Sequence, residues 1–492
     1  MTTMPATLVA HDAAAAERTP VWIWTIGLSV AAMAALAVAV GPRMVVLVAA
    51  GAVLAGAFLY PRVGLLLLVA VPMLFREETW YLRYVPVAYG GTEAAVLSFY
   101  DQRVFAVSFA SLLVIVLVLR SLLARPEHAE RVYGAFAFWL VVLLIADVGA
   151  ELVGRMTVGP GGALLGQWSQ VALPIVAALL VPVWCERSQL HRAIDVLALL
   201  AAGRLVFGLV RYAAGGGDWH FEIGRRIVFW DSADGLLGVF VASIGLVAVL
   251  DGNADRRRRV LGGALVALGV VVVALCLRRQ AMGALAVALP LTMFLLRRRT
   301  LLIVSLIIVT VVVAVIVALD VTAVRESVFA TRAQSVVRLR DENVSTNVWH
   351  LRDLEDGLLN IADNPILGYG YYSSPPRRTY ELSSRDVSLA VIGVYHNMFV
   401  NTWFRMGLVG VVALILILYL GLRDGGRAAL WRGDPRAAGL TATLSSMVCA
   451  GFFGSTLTTE RAPYFLMLGL AALVVLGRGA MRPEEPTAES RL

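Results

Sequence analysis

Lysine is absent from this sequence, and all 42 basic residues are arginine. A high-GC coding sequence produces that bias, so it assigns no function by itself. Charge is scarce altogether. Charged residues make up 15% of the 492 and hydrophobic residues 59%, where soluble domains hold about 25% and 45–50%. That balance excludes a soluble enzyme and a disordered chain. Only three cysteines occur, Cys185, Cys276 and Cys449, far apart and in or beside apolar runs. They form neither a disulfide framework nor a thiolate metal site. Walker A, H-E-x-x-H, C-x-x-C and G-x-S-x-G motifs are missing. So is a D-x-D pair to hold a divalent cation, and no metal or cofactor is expected.

What is present is apolar sequence in long runs, with a mean hydropathy of +0.78. Fourteen runs are read, at 21–40, 44–60, 63–75, 104–123, 133–149, 169–184, 194–212, 234–250, 260–276, 280–296, 301–319, 396–420, 440–455 and 463–477. Most approach the ~20 residues that cross a ~30 Å hydrocarbon core. The expected fold class is an all-α polytopic membrane protein of about fourteen transmembrane helices. Residues 1–20 have no basic segment ahead of the first run and are expected to form a cytoplasmic tail. Helices 1–11 then occupy 21–319 and helices 12–14 occupy 396–477, with 478–492 a second cytoplasmic tail. Between them, 320–395 forms a long extracytoplasmic loop domain. Leu351, Leu354, Leu358 and Ile361 recur there at helical spacing, which predicts an amphipathic helix near 347–362 ended by Asn364-Pro365.

Arginine placement gives the orientation. With a cytoplasmic N-terminus, DRRRR (255–259), RRR (297–299) and the arginines of 185–192 and 423–436 all fall inside. The net charge of +8 is thereby explained by the membrane, and no nucleic-acid partner is expected.

Four polar places on the extracytoplasmic side could carry chemistry. His396 and Asn397 open the twelfth run. His396 could act as a base near neutral pH or simply cap the helix. Arg278 and Arg279 sit in a tight hairpin, where they could grip phosphate oxygens bidentately or snorkel to headgroups. Arg225 and Arg226 precede the eighth run, with Arg211 at the end of the seventh. Arg204 lies mid-run, where an arginine costs about 2.5–3.5 kcal/mol, and it could pair there with a carboxylate such as Asp147 or Asp195. Gly368 and Gly370 stand in N-P-I-L-G-Y-G, which alone reads as a turn. Arginine clusters and a histidine on one face point to a large anion. Outside the cell, where nucleotides are absent, an activated substrate would be lipid-linked, and a polyprenyl diphosphate sugar fits.

These motifs together resemble the O-antigen ligase and polymerase superfamily. The resemblance rests on Pro365, Gly368, Gly370, His396, Asn397, Phe399, Gly407 and Gly410, on Arg279 or Arg278 after the hairpin, and on Arg225 or Arg226 ahead of an aromatic cluster. It covers about residues 220–420. Arg405 stands where the family usually has a glutamate, and the small-residue pair before the hairpin arginine is missing.

The resemblance implies a fold like the large GT-C glycosyltransferases and a metal-independent, inverting transfer of glycan from undecaprenyl diphosphate. The partners would be that polyprenyl-diphosphate-linked donor, a glycan or lipid acceptor, and membrane lipids, on the outer face of a bacterial cytoplasmic (inner) membrane. Arg279 and Arg226 would stabilise the diphosphate, and His396 would take the acceptor proton or position the hydroxyl. Arg225, Arg278, Arg211, Asn397, Gly368 and Gly370 would help bind substrate. Polymerisation of lipid-linked repeat units is the favoured activity and ligation of finished glycan the alternative. A transporter is disfavoured, because the arginine clusters lie at the membrane edge and the halves show no matching helix breaks.

Overall fold

The computed structural model describes residues 42–74, 103–104, 107–123, 134–158, 169–220, 225–229, 232–303, 345–371, 373, 376, 395–452 and 462–478. Thirteen helices are followed here: α1 (Pro42–Leu59), α2 (Pro61–Leu74), α3 (Phe109–Leu123), α4 (Ala135–Val158), α5 (Ser169–Trp184), α6 (Arg187–Ala213), α7 (Ser232–Leu250), α8 (Arg256–Cys276), α9 (Arg279–Leu295), α10 (Ser345–Asp363), α11 (Met398–Arg432), α12 (Pro435–Gly451) and α13 (Ala462–Gly477). Two small antiparallel hairpins join them: β1 (Arg103–Val104) with β2 (Val107–Ser108), and β3 (Asp218–His220) with β4 (Arg225–Ile227).

Twelve of the fourteen apolar runs coincide with helices, α1 to α9 and α11 to α13. The run at 21–40 and all but the start of 301–319 lie outside the described residues. Among the described helices, α4, α6, α7, α8 and α11 are long and apolar enough to cross a membrane. The tails at 1–20 and 479–492 and most of 320–395 also lie outside the described residues.

Local sequence sets the helix boundaries. Asp255 caps α8 by accepting from the Arg258 N–H at 2.7 Å. Asp434 caps α12, which begins with Pro435 at its first turn. Glycine allows close packing of α7 on α8. A Cβ on Gly269 would strike the Gly238 carbonyl, and one on Gly262 would lie 2.7 Å from the Gly245 carbonyl. This is the small-residue contact that lets backbones approach where apolar solvent supplies no hydrophobic drive. The most enclosed of these helices is α13, buried nearly all round through Ala462, Tyr464, Leu466, Leu470 and Leu473.

Contacts sort the helix ends into two groups. Gly235 at the start of α7 faces Ala281 at the start of α9. Gly439, near the start of α12, lies against Ile244 and Val247, near the end of α7. The end of α12 therefore sits with the start of α7, and Asn397 ties the start of α11 to it through the Phe452 carbonyl at 3.1 Å. At the opposite end, Arg187 Nη2 meets Asp434 at 2.9 Å, Arg436 grips Asp195 at 2.9 and 2.7 Å, and Arg298 donates to the Leu250 carbonyl at 2.8 Å.

Two expectations need correction. Arg204 pairs with neither Asp147 nor Asp195. Its Nε lies 3.3 Å from Asp234 Oδ1, and its guanidinium covers the Phe229 ring at 4.7 Å. Asp195 is taken by Arg436 at the other end. The predicted amphipathic helix exists as α10, but its buried face differs. Ile361 is buried and Leu354 half-buried as the stripe requires, but Leu351 is 44% exposed and Leu358 49%, while Asp353, Asp356 and Asn360 are buried. The spacing places those three polar groups on one face, and that face meets the polar opening of α11.

Candidate functional site

His396 immediately precedes α11. Asn397 is the N-cap, its Oδ1 accepting from Phe399 N at 2.9 Å and Val400 N at 3.1 Å. Its side chain is thus engaged in capping at one atom and in the Phe452 tie at the other. His396 is half-buried. Its backbone N–H donates to Asp353 Oδ2 at 2.8 Å, and its Nδ1 lies 3.4 Å from the same oxygen. One residue earlier, Asn360 Nδ2 donates to the Tyr395 hydroxyl at 2.8 Å. The rings of Tyr395, Phe404 and Tyr369, with Ile361, form an apolar cluster that seals α10 onto α11.

Ten residues into α11 the helix breaks. Gly407 has φ 67° and ψ −168°, which frees carbonyls on the turn before it. The Pro365–Gly370 turn fills the break. Tyr369 N donates to Phe404 O at 2.7 Å and Gly370 N to Arg405 O at 3.0 Å, while Leu408 N returns a bond to Pro365 O at 3.0 Å. Gly368 and Gly370 both have left-handed φ, 71° and 76°. A Cβ on Gly368 would meet Gly407 N at 2.6 Å, and one on Gly370 would meet Gly154 N at 2.5 Å. These glycines let backbone touch backbone, so their structural role is more than a simple turn.

Beneath the turn lies a buried polar cluster. The Tyr371 hydroxyl donates to Asp147 Oδ1 at 2.5 Å, Arg155 Nε to Glu151 at 2.6 Å, and the Arg405 guanidinium covers the Tyr371 ring at 4.9 Å. Burial, with the Asp147 charge beside it, pushes the Tyr371 hydroxyl well above the usual phenol range. It therefore stays a donor. Arg405, in the slot where a glutamate was expected, is part of this cluster and is buried.

The arginines lie at the same end. Leu277 takes a left-handed conformation, φ 52°, so α8 ends and α9 begins within three residues. Arg278 is the N-cap of α9 and Arg279 its first residue, both half-buried and both engaged in contacts. Arg211 donates to the Val228 carbonyl at 2.8 Å and Arg226, which is exposed, to the Gly215 carbonyl at 2.6 Å. The Arg225 backbone stands opposite that of His220 in the β3–β4 register. The sequence-predicted residues thus converge on one end of the bundle in two groups, His396–Asn397 with the glycine turn, and the arginines around α6 to α9. Asp353 was missed. It stands 43 residues before the histidine, and a polar residue on a helix with an apolar stripe reads as its solvent face.

Residues 264–415 match the O-antigen ligase family. This stretch belongs to the O-antigen ligase superfamily. The match takes in Arg278, Arg279, α10, the glycine turn and His396, while α1 to α7 and the Arg225–Arg226 hairpin precede it. A 92-residue segment is 30% identical to an uncharacterized protein of Haemophilus influenzae, covering 18% of this chain and 23% of that protein. The chain thus spans under a quarter of that relative's length in the match. The long apolar helices and the O-antigen ligase domain together make the chain a multi-pass membrane protein. Among the described residues, no cluster of three or more metal-ligating side chains occurs.

Proposed function

We propose that the protein is an inverting glycosyltransferase that moves glycan from undecaprenyl diphosphate to an acceptor hydroxyl on the outer face of the cytoplasmic membrane. The observation that carries this reading is the half-buried imidazole of His396, anchored at the start of α11 on the same bundle end as the Arg278–Arg279 hairpin. The arginine-rich connections at the opposite end support the sidedness, since arginine-bearing loops face the cytoplasm.

In the proposed reaction the donor diphosphate lies against Arg279 and Arg226, with Arg278, Arg225 and Arg211 contributing to the field. Fixed guanidinium groups stabilise the charge that grows on the leaving diphosphate. His396 accepts the acceptor proton as the hydroxyl attacks the opposite face of the anomeric carbon. Asn397, Gly368 and Gly370 support binding indirectly, by capping α11 and holding its break.

Polymerisation of lipid-linked repeat units is the activity we favour. Ligation to another acceptor is the second reading, favoured by the description of the matching family as O-antigen ligase. Purified protein supplied with undecaprenyl-diphosphate-linked glycan separates them. A ladder of chain lengths marks a polymerase and a single transfer marks a ligase. His396→Ala should slow turnover by about 10²–10⁴-fold while donor binding persists. Turnover at the parent rate would remove the histidine from the mechanism.

A further inference from the structure

The segment between 320 and 395 contributes a carboxylate to the histidine. Asp353 belongs to α10 and is 3% exposed, and one of its oxygens meets both the backbone N–H and the Nδ1 of His396. A buried carboxylate costs several kcal/mol unless paired and hydrogen-bonded. Here the pairing is directed at Nδ1, the imidazole nitrogen on the backbone side of the ring.

We infer that Asp353 is the positioning residue for the His396 base, an inference that rests on the reading of His396 given above. Accepting the Nδ1–H fixes the neutral ring in the tautomer that carries its lone pair on Nε2. The acceptor O–H proton passes to that Nε2. The hydroxyl oxygen forms its bond to the anomeric carbon, and the bond from that carbon to the diphosphate oxygen breaks. The electron pair leaves on the polyprenyl diphosphate, where the arginines meet it. The imidazolium then holds one N–H on Asp353, whose negative charge stabilises it, as a buried aspartate does for the histidine of a hydrolase triad. Asp353 itself touches neither donor nor acceptor.

The Asn360–Tyr395 hydrogen bond supplies an internal control. It joins α10 to the residue beside His396 without reaching the imidazole. If α10 mattered only as a brace, Tyr395→Phe would disturb the reaction as Asp353→Asn does.

The experiment measures kcat and donor KM on the full-length protein in lipid nanodiscs, with undecaprenyl-diphosphate-linked glycan as donor. Asp353→Asn keeps an oxygen for the backbone N–H and removes the charge. It should lower kcat by between about tenfold and the whole 10²–10⁴-fold contribution of a general base, with donor KM unchanged. Tyr395→Phe should stay near the parent rate. Asp353→Asn added to His396→Ala should slow nothing further, because the two act as a unit. Parent kinetics in His396→Ala would defeat the reading of the histidine. A slow His396→Ala beside parent kcat in Asp353→Asn would overturn this inference and leave the base intact. Equal losses in Asp353→Asn and Tyr395→Phe, or a donor KM that rises in step with the loss of kcat, would also overturn it. Should Asp353→Asn fail to fold, Asp353→Glu carries the test. A carboxylate displaced by one methylene should lower kcat at constant donor KM, and parent kinetics would count against Asp353.

Discussion

At the bundle end opposite His396, Arg187 closes on Asp434 and Arg436 on Asp195, carboxylate against guanidinium. At the His396 end, Arg211 and Arg226 meet the main-chain carbonyls of Val228 and Gly215. A carbonyl orients a guanidinium without cancelling its charge, whereas a carboxylate does both. The carboxylates at the His396 end are spread over several kinds of group: Asp353 on His396, Asp147 on Tyr371, Asp234 on Arg204 and Glu151 on Arg155. Arginine thus closes on carboxylates between helices at the far end, while at the His396 end Arg211 and Arg226 are oriented by main-chain carbonyls as well. The second arrangement suits an anionic substrate, since charges held by a preorganised scaffold need no rearrangement as new charge develops.

The comparison breaks most visibly at the hairpin. Arg279→Ala should lower transfer by about 10²–10³-fold, the loss seen when one preorganised charge-stabilising donor is removed. Lysine there should recover only part, because an ammonium lacks the planar fork. Arg187→Ala at the opposite end should leave transfer near the parent rate. Radiolabelled glycan transfer in the three variants checks this. Equal losses from Arg279→Ala and Arg187→Ala would mean that both ends use arginine alike.

The glycine turn is sharpened by stability rather than rate. Gly368→Ala should destabilise by more than the 1–2 kcal/mol that the left-handed conformation alone costs an L-residue, because its Cβ would also press on Gly407 N. Gly426→Ala, in the same helix α11 with open space around it, should be neutral or slightly stabilising. Thermal melts of the two variants in detergent decide this. A Gly368→Ala protein that melts with the parent would mean the turn is not packed into the break.

Much of this was legible in the residues. Apolar runs gave twelve of the described helices because a helix crossing lipid must satisfy its own backbone, and length and hydropathy suffice to show that. His396 and the paired arginines stood out because polar groups beside apolar runs are costly. The break at Gly407 was hidden, because a glycine in a long helix costs only about 1 kcal/mol and marks no boundary. A carboxylate partner for Arg204 was legible but not its identity, Asp234, because carboxylates at similar depth cannot be ranked without knowing which helices adjoin. Asp353 was hidden for a related reason: α10 buries Asp353, Asp356 and Asn360 beside Ile361 and leaves Leu351 and Leu358 outside, against the pattern expected of a helix on a soluble core.

The smallest expected effect belongs to the quiet end and is a matter of pH. Asp434 lies in the turn between α11 and α12 with its side chain 1% exposed. Burial alone would raise its carboxyl. Hydrogen bonds from His191, the Ala437 N–H and Arg187 outweigh burial and hold it below the usual carboxylate range. A depressed carboxyl contributes stability that is fully present above its unfolded pKa and lost as pH falls through the folded value. The melting temperature should therefore fall on the acid side of the ordinary aspartate range. Asp434→Asn separates charge from capping, since asparagine caps a helix about as well as aspartate. It should lower stability at neutral pH and flatten the acid decline, leaving glycan transfer near the parent rate. Asp434→Ala should cost a further 0.5–2 kcal/mol or so by removing the cap as well. Melts of parent and both variants across the acid range read this directly. An acid decline as steep in Asp434→Asn as in the parent would assign it to other carboxylates and weaken the contrast between the two ends.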